Sequence, residues 1–460
     1  MHYRIRRQRW EQYTIILLTV HKSIFRRCNL KTEIVVVGGG FAGCAAAASA
    51  ARTGAHVTLL ERTDMLLGNG LAAGFMDSNG RFTAAKEAIF LGGGDIFTAL
   101  DSITIHRDVE IPKHKHGTTY KNVAAEPLIR GLLRRLGVDV LFERLVRSVE
   151  KKDDKIVSVS AKNNETFVAD AFVDCSGTAG GPENCTRYGV GCVSCVLRCH
   201  AFGSRVSIAT KAGVRELVRL RVNGTPGVFS GAIALQRDSV APEILSKLEE
   251  KGSLLIPLRK EDVHEDKLFM KACSQFSEKE FAENLVLLDV GYPKIVTPFF
   301  PLERLRAQAG FENAWIEEPM AGGKGNSIRF LSIAPRDDAL KVEGLSNTFC
   351  AGEKSGPIVG VAEAIVTGHV AGHNAVREAL GKDLLILPRS IAIGDFIAFV
   401  GERMRMENGL RGLSGGLSLA GGLYFEERMK PSGLYTTDME EIRRRIDRAG
   451  LTGVLAKKEC

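Results

Sequence analysis

The sequence predicts an α/β fold built around a parallel sheet with helices on its faces. The main observation is residues 34–61, where a β-branched run, a glycine-rich turn, a small-residue helix and a second strand follow in order. Units of this kind pair their strands in parallel. Two later stretches, VDCSG at 173–177 and FCAGE at 349–353, indicate further buried strands that end in a turn. They predict that the N-terminal and C-terminal parts share one sheet.

The first unit carries the spacing of a dinucleotide-binding turn. Gly38, Gly40 and Gly43 stand in G-x-G-x-x-G register after the strand. The first glycine permits a tight bend, the second lets the backbone approach a pyrophosphate, and the third lets the helix pack on the strand. Glu61 ends the second strand, where a carboxylate can hold ribose hydroxyls. We predict a Rossmann-type nucleotide site here, with a glycine turn of another α/β fold as the alternative.

Several elements are predicted between these strands. Residues 126–136 are predicted to form an amphipathic helix with Pro127 in its first turn. Residues 155–160 and 166–173 are predicted to form paired strands. Residues 359–380 are predicted to form a helix, with small residues at roughly helical spacing. In the tail, residues 410–423 are expected to form a glycine-rich loop, and residues 437–449 a terminal helix.

Composition changes mark the domain boundaries. From 204 to 335 short strands, such as 228–235, alternate with charged helices, such as 240–251, which indicates an inserted α+β substrate domain. We therefore predict a basic arm at 1–30, a nucleotide-binding domain in two parts at 31–203 and 336–400, the insert at 204–335, and a C-terminal tail and helix at 401–460.

The charge is concentrated at the start of the chain. The formal net charge is +8, but residues 1–31 hold eight basic side chains and one acidic one, so the remainder carries about +1. This near-neutral body argues against nucleic acid as a partner. No apolar run approaches the length of a membrane span, and residues 1–31 make only a poor signal peptide. We expect a disordered basic arm and a cytoplasmic protein that does not enter the membrane.

These segments together resemble the two-dinucleotide-fold flavoproteins of the glutathione-reductase type. The resemblance covers about residues 31–205 and 335–400, and it implies a discontinuous FAD-binding domain with FAD as cofactor. It puts Glu61 on the adenosine ribose, Val146 at the adenine, Glu353 near the ribityl chain or pyrophosphate, and the helix after Gly360 at the flavin. The further cofactor contacts it implies are Arg62, Gly68, Gly177 and Gly352.

Two groups within this superfamily are similar to different parts of the chain. The segment LLGNGLAAGFMDSNGRF at 66–82 is similar to the general FAD-dependent oxidoreductases. The C-terminal run from FCAGE onward is instead similar to the GidA and folate-dependent tRNA uridine methyltransferase group. The RNA-modifying members place a cysteine in the loop after the first strand–helix–strand unit, whereas residues 62–81 contain none. This departure puts uridine chemistry in doubt.

A cysteine cluster is the second strong feature. Its members, which fall within 15 residues, are Cys185, Cys192, Cys195 and Cys199. Gathered thiolates suit a soft metal, so we predict a [4Fe–4S] cluster on these four residues, with Cys175 as a substitute fourth ligand. A zinc site with four thiolates and a redox-active dithiol of Cys192 and Cys195 are the alternatives.

The sequence offers only weak candidates for catalytic residues. His114 and His116 lie in a predicted polar loop, where either could act as a general base, although a solvated surface loop is the simpler interpretation. We predict a FAD-dependent oxidoreductase that moves electrons between a small-molecule substrate and an electron donor or acceptor, through the cysteine-held cluster. The alternatives are a GidA-like enzyme of RNA uridine modification and a non-catalytic flavin electron carrier. The oligomeric state stays open.

Overall fold

The computed structural model describes most of the chain. The described residues are 32–177, 202–220, 224, 228–230, 233–270, 276–297, 301–317, 327–329, 331–411, 413 and 416–459. The predicted basic arm and all four cysteines of the predicted cluster therefore lie outside the described residues.

A parallel sheet forms the centre of the described structure. Its five strands run, in spatial order, Thr348–Cys350, Ala171–Asp174, Glu33–Val37, His56–Leu60 and Asp139–Leu141. Four of the five residues of the central strand Glu33–Val37 are buried, as expected of a strand covered on both faces. The N-terminal and C-terminal parts of the chain do share one sheet, so the predicted Rossmann-type α/β fold is confirmed.

Two helices pack against each other over one face of this sheet. They are the N-terminal FAD helix, Phe41–Thr53, and the C-terminal FAD helix, Val361–Ala379. Gly368 and Gly372 make the close approach possible, because a Cβ on either would overlap the carbonyl oxygen of Ala42 or Ala46. The small residues noted at helical spacing thus serve helix–helix contact. Other helices on this side span Gly80–Phe90, Asp95–Asp101, Asn122–Arg135, Ala392–Arg405 and Met439–Arg448.

The opposite face is covered by an antiparallel sheet. Its strands are Val146–Lys152, Lys155–Ala161 and Thr166–Val168. The predicted pairing of 155–160 with 166–173 is correct only as far as Val168. The chain then leaves the hairpin, and Ala171–Asp174 joins the parallel sheet instead. The segment predicted as one strand at 166–173 therefore forms two strands, one in the antiparallel sheet and one in the parallel sheet.

The insert has the predicted mixed character. Its main sheet, the insert sheet, has the order Ile233–Ala234, Pro293–Ile295, Asn284–Asp289 and Ser253–Pro257. Two strand pairs join Leu217–Val218 to Ser332–Ile333 and Val228–Ser230 to Ser327–Arg329. Its helices include Ile208–Lys211, Pro242–Lys251, Lys279–Glu283 and Leu302–Arg306. The predicted strand 228–235 is divided into two short strands.

A three-stranded antiparallel sheet between the FAD helices and the insert was not predicted. Its strands are Phe75–Met76, His114–Tyr120 and Thr104–Ile111. Phe75, Val109 and Ile111 from this sheet share a core with Phe281 and Leu288 of the insert. The prediction of a polar loop at 113–116 is wrong, because His114 begins a strand of this sheet.

One helix begins earlier than predicted, for a physical reason. The helix predicted at 126–136 begins at Asn122, whose N–H donates to the carbonyl of Val290 in the insert (3.0 Å). Pro127 therefore lies inside the helix. The terminal helix Met439–Arg448 agrees with prediction, and Asp438 caps it by accepting from two backbone N–H groups.

The tail from 416 onward is not a simple loop. Leu417 forms a bridge with Ile358 and is buried, and Gly422–Tyr424 is helical. Across the described residues, every helix is too short or too polar to cross a membrane.

Candidate functional site

The glycine turn has the geometry of a nucleotide cradle. Gly38 has a φ of +103°, and a Cβ there would overlap the backbone of Cys175 on the neighbouring strand. A Cβ on Gly43 would overlap the carbonyl oxygen of Gly38. Gly40 differs, since its nearest neighbour would be the Leu67 carbonyl oxygen at 4.0 Å. The turn is therefore packed behind the first and third glycines and open in front of the second, where a pyrophosphate would lie.

Glu61 organises the same turn from the end of the adjacent strand. Its Oε2 accepts from the N–H of Gly39 (2.7 Å), and its Oε1 accepts from the N–H and hydroxyl of Thr63 (2.8 and 2.9 Å). The side chain is 6% exposed and lies in the cavity wall. A buried carboxylate with charge-assisted hydrogen bonds is held in one orientation, as ribose binding requires.

Arg62, Arg144 and Val146 lie at the predicted adenine end. Val146 is buried and starts the strand that pairs with Ala161. Arg144 is held by Glu165, with Nε 2.6 Å from the carboxylate, and the guanidinium of Arg62 donates to the carbonyl of Gly203. All three residues line the cavity, so this end combines a buried apolar contact with positive charge.

The flavin end is framed by Gly352, Glu353 and Gly360. Gly352 has a φ of +64°, and its Cβ would lie 2.8 Å from the Cβ of Ala42 on the N-terminal FAD helix. Glu353 lies with an oxygen 3.5 Å from Nδ2 of Asn69. Gly360 has a φ of +147° and immediately precedes the C-terminal FAD helix. The first turn of this helix lines the cavity through Val361 and Ala364, so the positive end of its dipole favours negative charge there.

Behind Gly360 lies a buried ion pair that sequence reasoning missed. Nε of Arg81 is 3.0 Å from both oxygens of Glu363, and the two side chains are 3% and 0% exposed. Glu363 also accepts from the hydroxyl of Ser418 and the N–H of Leu419, both at 2.9 Å. The pair joins the start of the C-terminal FAD helix to the tail. Its members are 282 positions apart, so no local pattern could reveal it.

One cavity is lined by ten of the eleven residues predicted to bind the cofactor. It measures about 1900 Å³ including the solvent at its mouth. The members of that set are Gly38, Gly40, Gly43, Glu61, Arg62, Gly68, Val146, Gly177, Gly352, Glu353 and Gly360; all but Gly43, which packs directly behind Gly38, line the wall.

The donor set fits FAD. The open glycine face and the start of the N-terminal FAD helix would meet the pyrophosphate, and Arg62, Arg144 and Arg205 supply positive charge along the wall. A fixed carboxylate at Glu61 meets the ribose. When bound here, FAD would lie in the groove that the starts of the two FAD helices frame.

The cavity continues past the groove into the insert. There its wall is formed by Phe75, Phe276, Leu288, Val296 and Lys294. Lys294 is a second residue that sequence reasoning missed. Its signal was a lone charge inside the apolar run YPKIV at 292–296.

The described cysteines are buried and neutral. Cys175 lies in the cavity wall beside Gly38, and burial, followed by the charge of Asp174, raises the pKa of its thiol well above the usual value. Burial likewise raises the pKa of the Cys44 and Cys350 thiols, and both side chains pack within hydrophobic cores.

The predicted metal site stays a prediction. Cys185, Cys192, Cys195 and Cys199 lie outside the described residues. Among those that are described, no group of three or more histidine, cysteine or acidic side chains is placed to hold a metal ion.

The two candidate histidines occupy different environments, neither of them in the cavity wall. His114 is 2% exposed, with Nδ1 3.2 Å from the hydroxyl of Ser78, and its ring packs against Phe75 and Phe276. His116 is half exposed, 3.5 Å from Asp108. His114 therefore supports the wall of the cavity from behind, and His116 lies on the surface.

Comparison with known proteins agrees with this site. The family model described as FAD dependent oxidoreductase matches residues 33–180, and the one described as Glucose inhibited division protein A matches residues 301–383. Together the two matched ranges contain both FAD helices in full. Neither description names a metal.

Individual relatives point the same way. The tRNA uridine 5-carboxymethylaminomethyl modification enzyme MnmG of Granulibacter bethesdensis is 23% identical over 424 residues, which is 78% of this chain and 64% of that protein. The chain thus spans under two thirds of this relative. Two crystal forms of Aquifex aeolicus GidA align over 91% of the chain and 76% and 78% of theirs, at 16% identity and TM-scores of 0.57 and 0.53.

The matches confirm the predicted resemblance and the FAD-binding fold. They lend no support to an iron–sulfur or zinc cofactor, and they favour the GidA-like interpretation over cluster-mediated electron transfer. The chain is therefore similar to FAD-dependent oxidoreductases over residues 33–180 and to GidA over residues 301–383, and it has a Rossmann-type FAD-binding fold.

Proposed function

We propose that this chain uses FAD to modify a uridine base of RNA. The observation that carries the proposal is the Glucose inhibited division protein A match at 301–383. That stretch supplies the strand Thr348–Cys350, the turn at Gly352 and the start of the C-terminal FAD helix, which are the parts of the chain nearest the flavin end of the cavity. MnmG, a relative by sequence, is named for modification of a tRNA uridine.

The chain's own residues would divide the work along the cavity. FAD, when bound, supplies two-electron transfer to or from the substrate. The glycine turn and the helix start at Phe41 would hold its pyrophosphate, and Glu61 its ribose. The start of the C-terminal FAD helix would favour negative charge on the flavin. The apolar wall at Phe75 and Leu288 would exclude water from the reacting atoms.

The absence of a cysteine at 62–81 sets a limit on the chemistry. A thiolate is the nucleophilic form of cysteine, and burial raises the pKa of Cys175, the cysteine in the described cavity wall. A covalent attack by a thiol of this wall on the base is therefore disfavoured at neutral pH. The proposed modification would use a different route to activate the uracil ring.

The basic arm would supply the attraction for RNA. Residues 1–31 carry eight of the basic side chains, and the rest of the chain is close to neutral. Binding through several phosphate contacts makes the affinity fall linearly with salt on a logarithmic scale. We expect the FAD-loaded chain to retain tRNA with a steep salt dependence, measured by filter binding at ~50 to ~200 mM salt.

A deletion variant provides the matched control for this experiment. Removing residues 1–30 should leave the flavin content unchanged and lower both the affinity for tRNA and its salt slope. A full-length protein that fails to bind tRNA at ~50 mM salt would contradict the proposal.

A second function is favoured by the cysteine spacing. Cys185, Cys192, Cys195 and Cys199 follow Gly177, which lies in the cavity wall. A cluster held by them would pass single electrons between the flavin and a partner while a small-molecule substrate reacts at the flavin. Iron, zinc and sulfide analysis of protein purified without oxygen tests this. About four irons and four sulfides per chain would support it, and metal-free protein would remove it.

A further inference from the structure

A buried ion pair lies between the flavin end of the cavity and the C-terminal tail. Its members are Arg81, from the helix Gly80–Phe90, and Glu363, from the first turn of the C-terminal FAD helix. The Nε of Arg81 is 3.0 Å from both carboxylate oxygens, and the two side chains are 3% and 0% exposed. Because water screens such a pair little, its charges act strongly on any group beside it.

The pair has its positive end toward the cavity. Of its two members, only Arg81 is among the described residues that form the cavity wall. Gly360, another residue of this wall, makes that placement possible, because a Cβ at this position would overlap both the guanidinium and the carboxylate. With a glycine there, the pair can lie directly against the start of the helix at the cavity wall.

Three groups hold the guanidinium in one orientation. Besides the carboxylate, they are the carbonyl of Val359 and the hydroxyl of Ser418, which both accept from Nη2 of Arg81 at 3.2 Å. The carboxylate is held in turn by the hydroxyl of Ser418 and the N–H of Leu419, both at 2.9 Å. Arginine donates from a rigid planar fork that carries a fixed charge. A charge oriented in this way needs no rearrangement when a neighbouring group becomes charged.

We propose that Arg81 tunes the bound flavin: its guanidinium stabilises the negative charge that the flavin ring gains on reduction, and so raises the reduction potential of FAD in this protein. Uptake of two electrons with a single proton leaves the reduced ring with one more negative charge than the oxidised ring. A positive charge held near the ring favours that reduced form. Glu363 limits the effect, because its opposite charge lies behind Arg81 and offsets part of it. The inference goes beyond the proposed RNA function, since it concerns the cofactor alone.

The test is the reduction potential of FAD in the full-length, FAD-loaded protein. It is measured without oxygen by equilibration with a redox dye of known potential while the flavin absorbance is recorded. Glu363→Gln removes the offsetting charge but keeps an oxygen that can accept hydrogen bonds. Combining Arg81→Met with Glu363→Gln removes both charges and leaves no buried charge unpaired. Glu378→Gln is the matched control, because it removes a carboxylate that pairs with Lys341 (2.9 Å) near the other end of the same helix.

The proposal predicts that Glu363→Gln raises the potential and that the double variant lowers it below the wild-type value. We expect Glu363→Gln to prefer reduced over oxidised FAD about tenfold more than the wild type does, which is about 30 mV for a two-electron couple. Glu378→Gln should leave the potential unchanged, because about 22 Å of helix, more than two Debye lengths at physiological salt, separates the two positions.

Any of four results would overturn the proposal. Three concern the potential: no change in Glu363→Gln, a double variant at or above the wild-type value, and an equal shift in Glu378→Gln. The fourth is loss of FAD by both variants at the pair, which would assign the pair a role in holding the fold. A pair that only supports the fold would weaken the binding of oxidised and reduced FAD alike and leave the potential unchanged. None of these measurements involves RNA, so the outcome is independent of the proposed function.

Discussion

Substitution of glycine by alanine should destabilise the protein at Gly372, where the two FAD helices touch, and stabilise it at Gly131, which lies in a different helix. A Cβ on Gly372 would lie 2.1 Å from the backbone carbonyl oxygen of Ala46, whereas ordinary contact begins near 3.4 Å. The helices would have to separate by about 1.3 Å to restore ordinary contact, and overpacking of this kind costs about 1–3 kcal/mol. Gly131 is also helical, but the nearest atom to its Cβ would be the flexible end of Arg135 at 3.5 Å. There an alanine gains about 1 kcal/mol of helix propensity.

The assay is thermal unfolding of the FAD-free and FAD-loaded proteins. We expect the melting temperature to rise in Gly131→Ala and to fall in Gly372→Ala, with wild type between them. Gly372→Ala should also weaken FAD binding, because both helix starts frame the groove. A Gly372→Ala protein at least as stable as wild type would refute the close helix contact.

Three further predictions concern buried polar groups. Glu61→Gln should weaken FAD binding about tenfold or more, measured by fluorescence titration, because the amide cannot accept from Gly39 and Thr63 together; unchanged affinity would contradict this. Glu87→Ala should cost about 2 kcal/mol in unfolding, because two N–H groups at a helix start lose their acceptor; an unaltered melting temperature would speak against it. Burial lowers the pKa of His369 and His373 to about 4, so the folded state keeps both neutral while the unfolded chain takes up protons first. Their stabilising contribution is present above pH ~6.5 and lost as the pH falls toward ~4, and the double leucine variant should therefore lose less melting temperature between pH 7 and pH 5 than wild type does.

The nucleotide-binding core could be predicted because its signals are local. The β-branched strand, the glycine spacing and the acid at Glu61 lie within 28 consecutive residues. Gly38 is required by its contact with Cys175 on the adjacent strand, and Gly43 by its contact with Gly38 in the same unit. Pro242–Lys251 was equally readable, since a proline opens the helix and a glycine closes it.

The sheet at 104–120 could not be predicted from its residues. Its pairing shifts register at three places, so apolar residues do not alternate with period two along Thr104–Ile111. Its buried side chains are instead set by the insert core, which lies more than 150 positions later. Tertiary packing, rather than local propensity, makes these residues strands.

The buried charges were missed for a related reason. In the sequence, Arg81 resembles a surface residue, because its partner Glu363 is distant along the chain. Lys294 resembles an ordinary strand residue, because only the folded structure shows that it lines the cavity. A sequence can show that a charge interrupts an apolar run, but not which distant group receives it.

The most direct test of the proposed function is a comparison of modified nucleosides in total RNA, by mass spectrometry, from the native cells with and without this chain. The account predicts that at least one modified uridine disappears on deletion and returns with the wild-type chain. It should not return with Gly43→Val, whose side chain would overlap Gly38 and close the FAD site. Identical uridine profiles in the presence and absence of the chain would contradict the account.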